Sequence, residues 1–582
     1  MNQLMLGNEA IARGAWEAGV TVSTAYPGTP STEISEYISE YPEVNAEWSV
    51  NEKVAFEIAM GASIAGARSI VSMKHVGLNV AMDPLMSISY PGVNGGLVAV
   101  VADDPGQHSS QNEQDTRWFG IAAKVPVIEP ADSDECRRFT AEAFELSELF
   151  DTPVIVRLTT RIAHSQSIVH PHERTAFELK DFNQPHGKYI VAPGYARIRR
   201  VVAEERMAKL AEFAETTTLN HVDYKNSDIG IIAAGICYQY AKEVFPDASF
   251  FKIGLANPLP RKAITEFVAR HKKVYVIEEV ESIYELIIKS WGLNVEGSAL
   301  LPRVGELSAR IIRKALLGEQ PTLQVYPSAP LPGRPPVLCP GCHHRGPFYV
   351  LKKLNLKVSG DIGCYTLAAA PPLRAMDTSI CMGASIGMAF GFEKARGKSY
   401  AQESVAVIGD STFWHSGVTG LIDVVYNQGC TTVIILDNSI TAMTGHQDNP
   451  STGKTLNGKP APVMDIKKLA EAIGIKRIRE VDAYDLAALE TAVREEIAVP
   501  EPSVIITKRP CVLIKGQKIT ATPFCVNTDT CTGCKKCRTL GCPAISFSGK
   551  KAVIDKLLCI GCGLCADVCP FNAIAPHEQG DA

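Results

Sequence analysis

Short apolar runs alternate with Ala-rich or amphipathic stretches along most of the chain. In residues 1–170, the apolar runs 96–101 and 154–158 predict buried strands, and the Ala-rich stretch 54–67 predicts a helix. Strands that alternate with helices are typical of a parallel sheet covered by helices. Residues 1–170 are therefore predicted to form one parallel α/β domain.

The same alternation returns twice further along the chain. Further strands are expected at 229–233, 274–278, 405–408, 433–436 and 504–507. A Pro-rich stretch between these groups predicts an extended linker, and the charged stretch after the first domain predicts an irregular connection. The predicted segments are a first α/β domain (1–170), a connecting segment (171–225), a small α/β domain (226–325), the linker (326–337), a third α/β unit (338–515) and a cysteine-rich end (520–582).

Composition narrows the class of protein. The chain has 582 residues, of which 46% are hydrophobic and 21% are charged, as in ordinary multidomain globular proteins. A net charge of −5 gives no electrostatic reason to expect nucleic acid binding. The N-terminus has no apolar signal segment, and no apolar run is long enough to span a bilayer. We therefore expect a cytoplasmic protein that binds neither nucleic acid nor membranes.

Two cysteine runs of nearly equal spacing lie at the C-terminal end. They are Cys531-x2-Cys534-x2-Cys537-x4-Cys542-Pro543 and Cys559-x2-Cys562-x2-Cys565-x3-Cys569-Pro570. In bacterial ferredoxins with this pattern, the fourth cysteine of each run binds the other cluster. The spacing predicts one [4Fe–4S] cluster on Cys531, Cys534, Cys537 and Cys569, and a second on Cys559, Cys562, Cys565 and Cys542. Zinc is the alternative for paired cysteines, and the third cysteine and the Cys-Pro in both runs disfavour it.

Polar residues follow two strands of the third α/β unit at the point where each strand ends. Gly409-Asp410-Ser411 follows the run 405–408, and Asp437-Asn438 follows the run 433–436. Ligands bind beyond the carboxyl ends of parallel strands, and oxygen ligands beside a diphosphate suit Mg2+. Simple strand-end turns are the alternative.

This pattern resembles the thiamine diphosphate-binding motif, in which Gly-Asp is followed along the chain by an Asn. Ser411 stands where a glycine is commoner. The resemblance implies that Gly409, Asp410 and Ser411 contact the diphosphate. It also implies Mg2+ ligands from Asp410, Asn438 and the backbone carbonyl of Ile440.

Asn51-Glu52 opens the helix predicted over 53–67. Thiamine enzymes need a carboxylate in apolar surroundings, so that it shares a proton with the aminopyrimidine nitrogen. Asn51-Glu52 resembles the helix-opening Asn-Glu of those enzymes, which implies that Glu52 activates the cofactor. The alternative is that Glu52 only complements the positive end of the helix dipole.

A third group of cysteines lies in the third α/β unit. Cys339-Pro-Gly-Cys342-His343-His344 has a spacing that zinc sites also use. Together with Asp361-Ile-Gly-Cys364, it resembles the cofactor-proximal [4Fe–4S] site of the 2-oxoacid:ferredoxin oxidoreductases. In that family the fourth ligand follows a late strand, and Arg509-Pro-Cys511 is in the matching place. The resemblance implies that Cys339, Cys342, Cys364 and Cys511 bind the cluster.

The resemblance to this family extends over nearly the whole chain. It includes a loop at 25–32 like the family's substrate-side loop, and the segments 381–387, 409–413 and 436–445. Cys381, Met382 and Gly383 are implied to contact the cofactor. The implied fold class is α/β, with thiamine diphosphate-binding domains built on parallel sheets flanked by helices. The pyrimidine-binding domain is 1–170, a transketolase C-terminal-like domain is 226–325, the diphosphate-binding domain is 338–515, and a bacterial ferredoxin-like domain with two [4Fe–4S] clusters closes the chain.

Within the family, the domain order most resembles the alpha subunits that act on indolepyruvate. This implies oxidative decarboxylation of aryl-pyruvates (indolepyruvate, phenylpyruvate) with coenzyme A to the aryl-acetyl-CoA and CO2. Electrons would pass through the [4Fe–4S] clusters to ferredoxin. The family also uses a γ-type domain that no stretch of this chain resembles, so a beta subunit is expected to supply it in an α2β2 assembly.

Four further side chains are candidates near the substrate. Thr29 would contact the carboxyl or oxo group of the substrate, or would cap the helix expected near Ser31. Arg117 would hold the substrate carboxylate bidentately, or would be a surface charge. His75 and His108 follow strand-like runs and would face the cofactor, or would be ordinary core and surface histidines.

Three other functions remain open from the sequence. The first is the same chemistry on pyruvate or branched-chain 2-oxo acids. The second is a non-oxidative decarboxylase or carboligase whose clusters are structural. The third is an electron-transfer subunit of a larger complex, which would not need Glu52 or Asp410.

Overall fold

The structure, a computed structural model, describes residues 2–182, 185–319, 333–516 and 521–577. The chain divides into two compact units, Met1–Pro327 and Ser328–Ala582. Most of the Pro-rich linker predicted at 326–337 lies outside the described residues. Within the described residues, no helix combines the length and the apolar character that crossing a membrane requires.

The first unit contains alternating strands and helices. Its strands are β1 (Gln3–Leu6), β2 (Val22–Ala25), β3 (Asn45–Trp48), β4 (Ser69–Lys74), β5 (Leu97–Asp103), β6 (Val127–Ile128), β7 (Val154–Thr159), β8 (Gln166–Val169), β9 (His221–Asp223), β10 (Ile229–Ala234), β11 (Ser249–Ile253), β12 (Leu255–Asn257) and β13 (Lys273–Ile277). Its helices are α1 (Gly7–Glu17), α2 (Thr32–Ile38), α3 (Glu52–Ile64), α4 (His75–Val80), α5 (Met82–Ile88), α6 (Thr116–Ala123), α7 (Ser133–Leu149), α8 (Thr160–His164), α9 (Pro193–Ala214), α10 (Gly235–Val244), α11 (Arg261–Ala269), α12 (Ile283–Ser290) and α13 (Ala309–Leu317).

A seven-stranded sheet forms the centre of the first domain, in the order β12-β6-β7-β5-β4-β2-β3. From β6 to β3 all neighbours pair in parallel. Every residue of β4, β5 and β7 is buried, because both faces of a parallel sheet are covered. The parallel α/β fold predicted from the sequence is confirmed.

The second domain of this unit has a smaller sheet in the order β13-β10-β11-β9. Strand β10 pairs in parallel with β11 and β13, and β9 is antiparallel to β11. Strand β12 belongs to this domain in sequence but pairs antiparallel with β6. The small domain therefore completes one edge of the first domain's sheet.

The segment 171–225 is not irregular throughout, as the sequence analysis expected. Residues Pro193–Ala214 form α9, a helix of 22 residues. Pro193 fits its first turn because no helical hydrogen bond is lost there. Charged residues are distributed around the circumference of α9. Its buried residues are Ala203, Arg206, Leu210 and Ala214. The apolar stripe that normally reveals a helix in a sequence is therefore weak, and the prediction is wrong for this stretch.

The second unit contains the third α/β domain and the cysteine-rich end. Its strands are β14 (Lys357–Gly360), β15 (Thr378–Ser379), β16 (Ser404–Gly409), β17 (Thr432–Asp437), β18 (Arg477–Asp482), β19 (Ser503–Lys508), β20 (Phe524–Val526), β21 (Ile545–Ser548), β22 (Lys551–Ile554) and β23 (Ile574–Pro576). Its helices are α14 (Arg345–Lys353), α15 (Ala384–Arg396), α16 (Asp410–Thr412), α17 (Val418–Tyr426), α18 (Ile466–Ile473), α19 (Leu486–Ile497) and α20 (Leu564–Asp567).

The third α/β domain has a six-stranded parallel sheet in the order β15-β14-β16-β17-β19-β18. Strands β16 and β17 are buried along their whole length. Gly409 is in register with Leu436, so Asp410 and Asp437 leave the sheet side by side. The neighbouring strand ends predicted from the sequence are confirmed.

The cysteine-rich end is a small module of two antiparallel strand pairs, β20 with β23 and β21 with β22. Its apolar core includes Leu540, Ile554, Leu564 and Ile574 together with several of the cysteines. A core this small depends on the groups that its cysteines bind.

Candidate active site and cluster sites

The strand-end site is built around the buried carboxylate of Asp410. One oxygen, Oδ2, accepts a hydrogen bond from Asn449 Nδ2 at 3.0 Å. Burial, followed by the nearby carboxylate of Asp437, raises the pKa of Asp410 to about 7. A divalent cation would hold such a carboxylate in its charged form. The donor set therefore fits Mg2+, and Asn449 is a member of the site that the sequence analysis missed.

The turn after β17 carries the other two residues predicted to bind the metal. Asn438 Oδ1 accepts the amide of Ile440 at 3.2 Å, and Ser439 between them is left-handed, with φ of 58°. The strand-end turn offered as the alternative is thus present. It does not exclude a metal, because the amide oxygen of Asn438 keeps a second lone pair. Ser411 lies beside this turn and accepts a hydrogen bond from Thr441 at 2.9 Å.

Asp361 holds the loop that contains Cys381, Met382 and Gly383. Its carboxylate accepts hydrogen bonds from the amides of Gly383 at 2.9 Å and Ser385 at 3.0 Å. Gly383 has a φ of 84°, and a Cβ there would lie 2.4 Å from Cβ of Ser416, so only glycine fits. In the sequence, Asp361 is visible only as part of the Cys364 motif. The structure adds that Asp361 anchors this loop.

The four cysteines predicted for the proximal cluster lie together. The pKa of the Cys364 thiol is raised to about 11, first by burial and then by the neighbouring thiols of Cys511 and Cys339. Burial raises the pKa of Cys342 to about 12, with smaller contributions from Cys339 and Cys364. Mutual repulsion among thiolates of this kind is relieved when they bind a metal centre.

One of the proximal cysteines, Cys511, is hydrogen-bonded to the turn of the strand-end site. The amide of Cys511 donates a hydrogen bond to the carbonyl of Asn438 at 2.9 Å. The pKa of Cys511 is raised mainly by burial, and the carboxylate of Asp410 also raises it. The thiols and the strand-end oxygens are therefore parts of one continuous site.

His343 and His344 are buried next to Cys342. Their rings are 3.9 Å apart, and the ligand atoms of the three residues lie within 4.8 Å of one another. Burial lowers the pKa of His343 to about 3 and the pKa of His344 well below its usual value. Both rings are therefore neutral. These three residues keep the zinc alternative open, but four neighbouring thiols are the usual ligands of an iron–sulfur cluster.

The C-terminal module contains two cavities lined by cysteines. One is lined by Cys531, Cys534, Cys537 and Cys569. The other is lined by Cys542, Cys559, Cys562 and Cys565. Each cavity thus contains the four cysteines that the spacing assigned to one cluster, with the fourth ligand exchanged between the runs.

In the first unit, Glu52 is buried at the start of α3. Asn51 caps this helix by accepting the amide of Val54 at 2.9 Å. A Cβ added to Gly77 of α4 would lie 2.6 Å from both Cγ and Oε1 of Glu52. Because Asn51 already caps the helix and the Glu52 carboxylate is packed against α4, complementing the helix dipole does not explain its burial.

Thr29 and the two histidines each make a hydrogen bond or ion pair within the protein. Helix α2 begins at Thr32, so Thr29 does not cap it; the Thr29 carbonyl accepts the Ser109 hydroxyl at 3.5 Å. His75 is buried, with Nε2 at 3.2 Å from the carbonyl of Asn112. His108 is exposed and pairs with Glu306. A nearby residue missed by the sequence analysis is Lys74, whose pKa burial lowers to about 8.

Arg117 is neither a surface charge nor a free carboxylate-binding group. Its side chain is 1% exposed. It donates to Asp115 at 2.6 and 2.9 Å and to Glu278 at 2.8 Å, and to the carbonyl of Glu281 at 2.9 Å. All three nitrogens therefore donate within the protein, and the buried position of Arg117 contradicts the surface charge. The bidentate contact with a substrate carboxylate stays a prediction, although the nitrogens already bind two carboxylates of the protein itself.

Three family models match parts of the chain. They are "Pyruvate flavodoxin/ferredoxin oxidoreductase, thiamine diP-bdg" at residues 13–228, "Thiamine pyrophosphate enzyme, C-terminal TPP binding domain" at residues 361–507, and "4Fe-4S binding domain" at residues 552–575. They correspond to the domain of Glu52, the domain of Asp410 and the second cysteine run.

Known proteins match this chain over almost its full length. The indolepyruvate oxidoreductase subunit IorA of Archaeoglobus fulgidus is 39% identical, and that of Pyrococcus abyssi is 40% identical. Each match covers 99% of this chain and 97% of the relative. The 2-oxoglutarate synthase subunit KorA of A. fulgidus is 24% identical over 52% of this chain and 96% of its own length.

We expect Gly77→Ala to lower kcat by about 100-fold, because the added Cβ displaces the Glu52 carboxylate and misplaced catalytic groups cost about that much. Steady-state 2-oxo acid oxidation measures the effect. Gly61→Ala in α3 is the matched control, since a Cβ there meets nothing within 4 Å. Equal activity of the two variants would contradict a catalytic position for Glu52.

We expect Arg117→Met to destabilise the protein by about 3–5 kcal/mol, because it leaves Asp115 and Glu278 buried without their partner. Urea unfolding measures the change. The control is Arg161→Met, whose exposed pair with Glu306 contributes at most about 1 kcal/mol. Unchanged stability together with a raised KM for the 2-oxo acid would support the substrate role of Arg117.

Proposed function

The chain belongs to the family of the indolepyruvate oxidoreductase IorA subunits, and from that premise we propose that it oxidises aryl-pyruvates such as indolepyruvate and phenylpyruvate. Family membership gives the coarser activity, which is thiamine-dependent transfer of electrons from a 2-oxo acid to ferredoxin through iron–sulfur clusters. In the proposed reaction the 2-oxo acid and coenzyme A give the aryl-acetyl-CoA and CO2, and the electron pair leaves one electron at a time.

The residues of the strand-end site are proposed to hold the cofactor. Bound thiamine diphosphate supplies the carbanion that adds to the 2-oxo carbon and takes up the electron pair as CO2 leaves. Asp410, Asn438 and the carbonyl of Ile440 would bind Mg2+, and the segments 409–411 and 381–383 would lie along the diphosphate. Glu52 would hold the proton of the aminopyrimidine nitrogen within its buried surroundings.

The observation that carries the proposal is the hydrogen bond from the Cys511 amide to the Asn438 carbonyl. It attaches one proposed ligand of an electron acceptor to the turn that would bind the cofactor's metal. A non-oxidative decarboxylase has no use for an acceptor there. A pure electron-transfer subunit has no use for the buried carboxylates of Glu52 and Asp410.

The proposed clusters are one on Cys339, Cys342, Cys364 and Cys511 and two in the C-terminal module. We further propose a beta subunit that carries the γ-type domain, in an α2β2 assembly, because thiamine chemistry in this family uses that domain. Coenzyme A is the proposed acyl acceptor.

The substrate is tested by anaerobic viologen reduction with the partner subunit, thiamine diphosphate, Mg2+ and coenzyme A. We expect kcat/KM for indolepyruvate and phenylpyruvate to exceed the values for pyruvate and 2-oxoisovalerate by at least about tenfold, since an aromatic side chain buries more apolar surface. A preference for pyruvate or 2-oxoisovalerate would contradict the aryl assignment and keep the chemistry.

We expect Glu52→Gln to lower turnover by about 10²–10⁴-fold, because the amide cannot exchange a proton with the cofactor. Iron content and cluster spectra should stay at wild-type levels. Glu57→Gln on the same helix is the control, because Glu57 is half-exposed and pairs only with Lys53 among the ion pairs described. Full activity of Glu52→Gln would support the electron-transfer subunit instead.

A further inference from the structure

One arginine joins the proximal cysteine loop to the C-terminal module. Arg345 begins α14, three residues after Cys342, and is 2% exposed. Its Nη1 donates to the carbonyl of Leu540 at 2.7 Å, two residues before Cys542. Its Nε and Nη2 donate to the carbonyl of Cys339 at 3.2 and 3.1 Å, and Nη2 also donates to Leu338. A single guanidinium thus ties together the loops of two proposed clusters.

Within the part of the chain that the structure describes, Arg345 is a buried cation without a carboxylate partner. None of the ion pairs found among the described residues includes it, whereas the buried Arg117 pairs with Asp115 and Glu278. A buried cation without compensating charge is unfavourable. Arg345 contacts the Cys339 loop and lines the cavity of Cys542, Cys559, Cys562 and Cys565, so thiolates bound to clusters at both sites would supply its counter-charge.

Arg345 also lines one of the two cysteine cavities, the one formed by Cys542, Cys559, Cys562 and Cys565. The cavity with Cys531 and Cys534 is lined by Lys535 and Lys536 but not by Arg345. The charge of Arg345 consequently acts on the proximal site and on one C-terminal site, and the other C-terminal site serves as an internal reference.

Other contacts also fix the proximal cysteine loop, and one of them reaches the C-terminal module. The Tyr484 hydroxyl donates to the carbonyl of Gly341, between Cys339 and Cys342. The Ile560 side chain packs against Gly341 so closely that a Cβ there would lie 2.0 Å from Cδ1. Tyr484 therefore holds the proximal loop to its own domain, and Ile560 joins that loop to the C-terminal module independently of Arg345.

We propose that Arg345 is a positioning residue shared by two clusters, and that its buried charge raises the reduction potentials of both. Each one-electron reduction adds a negative charge to a cluster whose ligands are already thiolates. A fixed cation in a low-dielectric site stabilises the reduced form more than the oxidised form. This inference rests on the proposed function only for the presence of the clusters.

The test is a reductive titration of the cluster-loaded holoenzyme, followed by electron paramagnetic resonance. No 2-oxo acid is added, so the result is independent of the substrate assignment. In Arg345→Gln, the potentials of the proximal cluster and of the Cys542 cluster should both fall, and that of the Cys531 cluster should not change. In Arg345→Lys, which keeps the charge, the potentials should stay near wild type.

Arg494→Gln is the matched control, because Arg494 is an exposed arginine of the same unit and should move no potential. Unchanged potentials in Arg345→Gln with full iron content would overturn the charge role. If Arg345→Gln loses iron, Arg345→Lys decides the question. Potentials near wild type in the lysine variant support the proposal, and equal loss of iron from all three sites in that variant overturns it.

Discussion

The hydrogen bond from the Cys511 amide to the Asn438 carbonyl is the contact on which the proposed electron path depends. It fixes a proposed cluster ligand to the turn that ends β17, beside the buried carboxylate of Asp410. Because electron transfer is efficient only over short distances, oxidation needs its acceptor next to the place where the electron pair is released. A parallel sheet meets this need, since neighbouring strands end at one edge.

From that edge the proposed route continues through fixed contacts. Arg345 donates hydrogen bonds to the carbonyls of Cys339, in the proximal loop, and of Leu540, in the C-terminal module. Leu540 lies two residues before Cys542. The two cysteine cavities of the C-terminal module then share ligands between their runs. The module's small core leaves its stability dependent on the groups it binds. Loading with iron and folding of this module should therefore be coupled.

Much of this layout was accessible from the sequence, because its signals are local. The cysteine spacings, the polar strand ends and the opening Asn51-Glu52 each lie within a few residues. The functions of Arg117, Asp361, Asn449 and Arg345 were not accessible, since each depends on a partner distant in the chain. Helix α9 was missed because it has no apolar stripe, and β12 because it pairs outside its own domain.

The most direct test of the account mixes the cluster-loaded chain and its partner subunit with indolepyruvate, anaerobically and without an external acceptor. Freeze-quenched samples are examined by electron paramagnetic resonance while CO2 is measured in parallel. If the proposed reaction is correct, reduced-cluster signals rise in step with CO2 release. Release of CO2 or of an aldehyde while every cluster stays oxidised would contradict it.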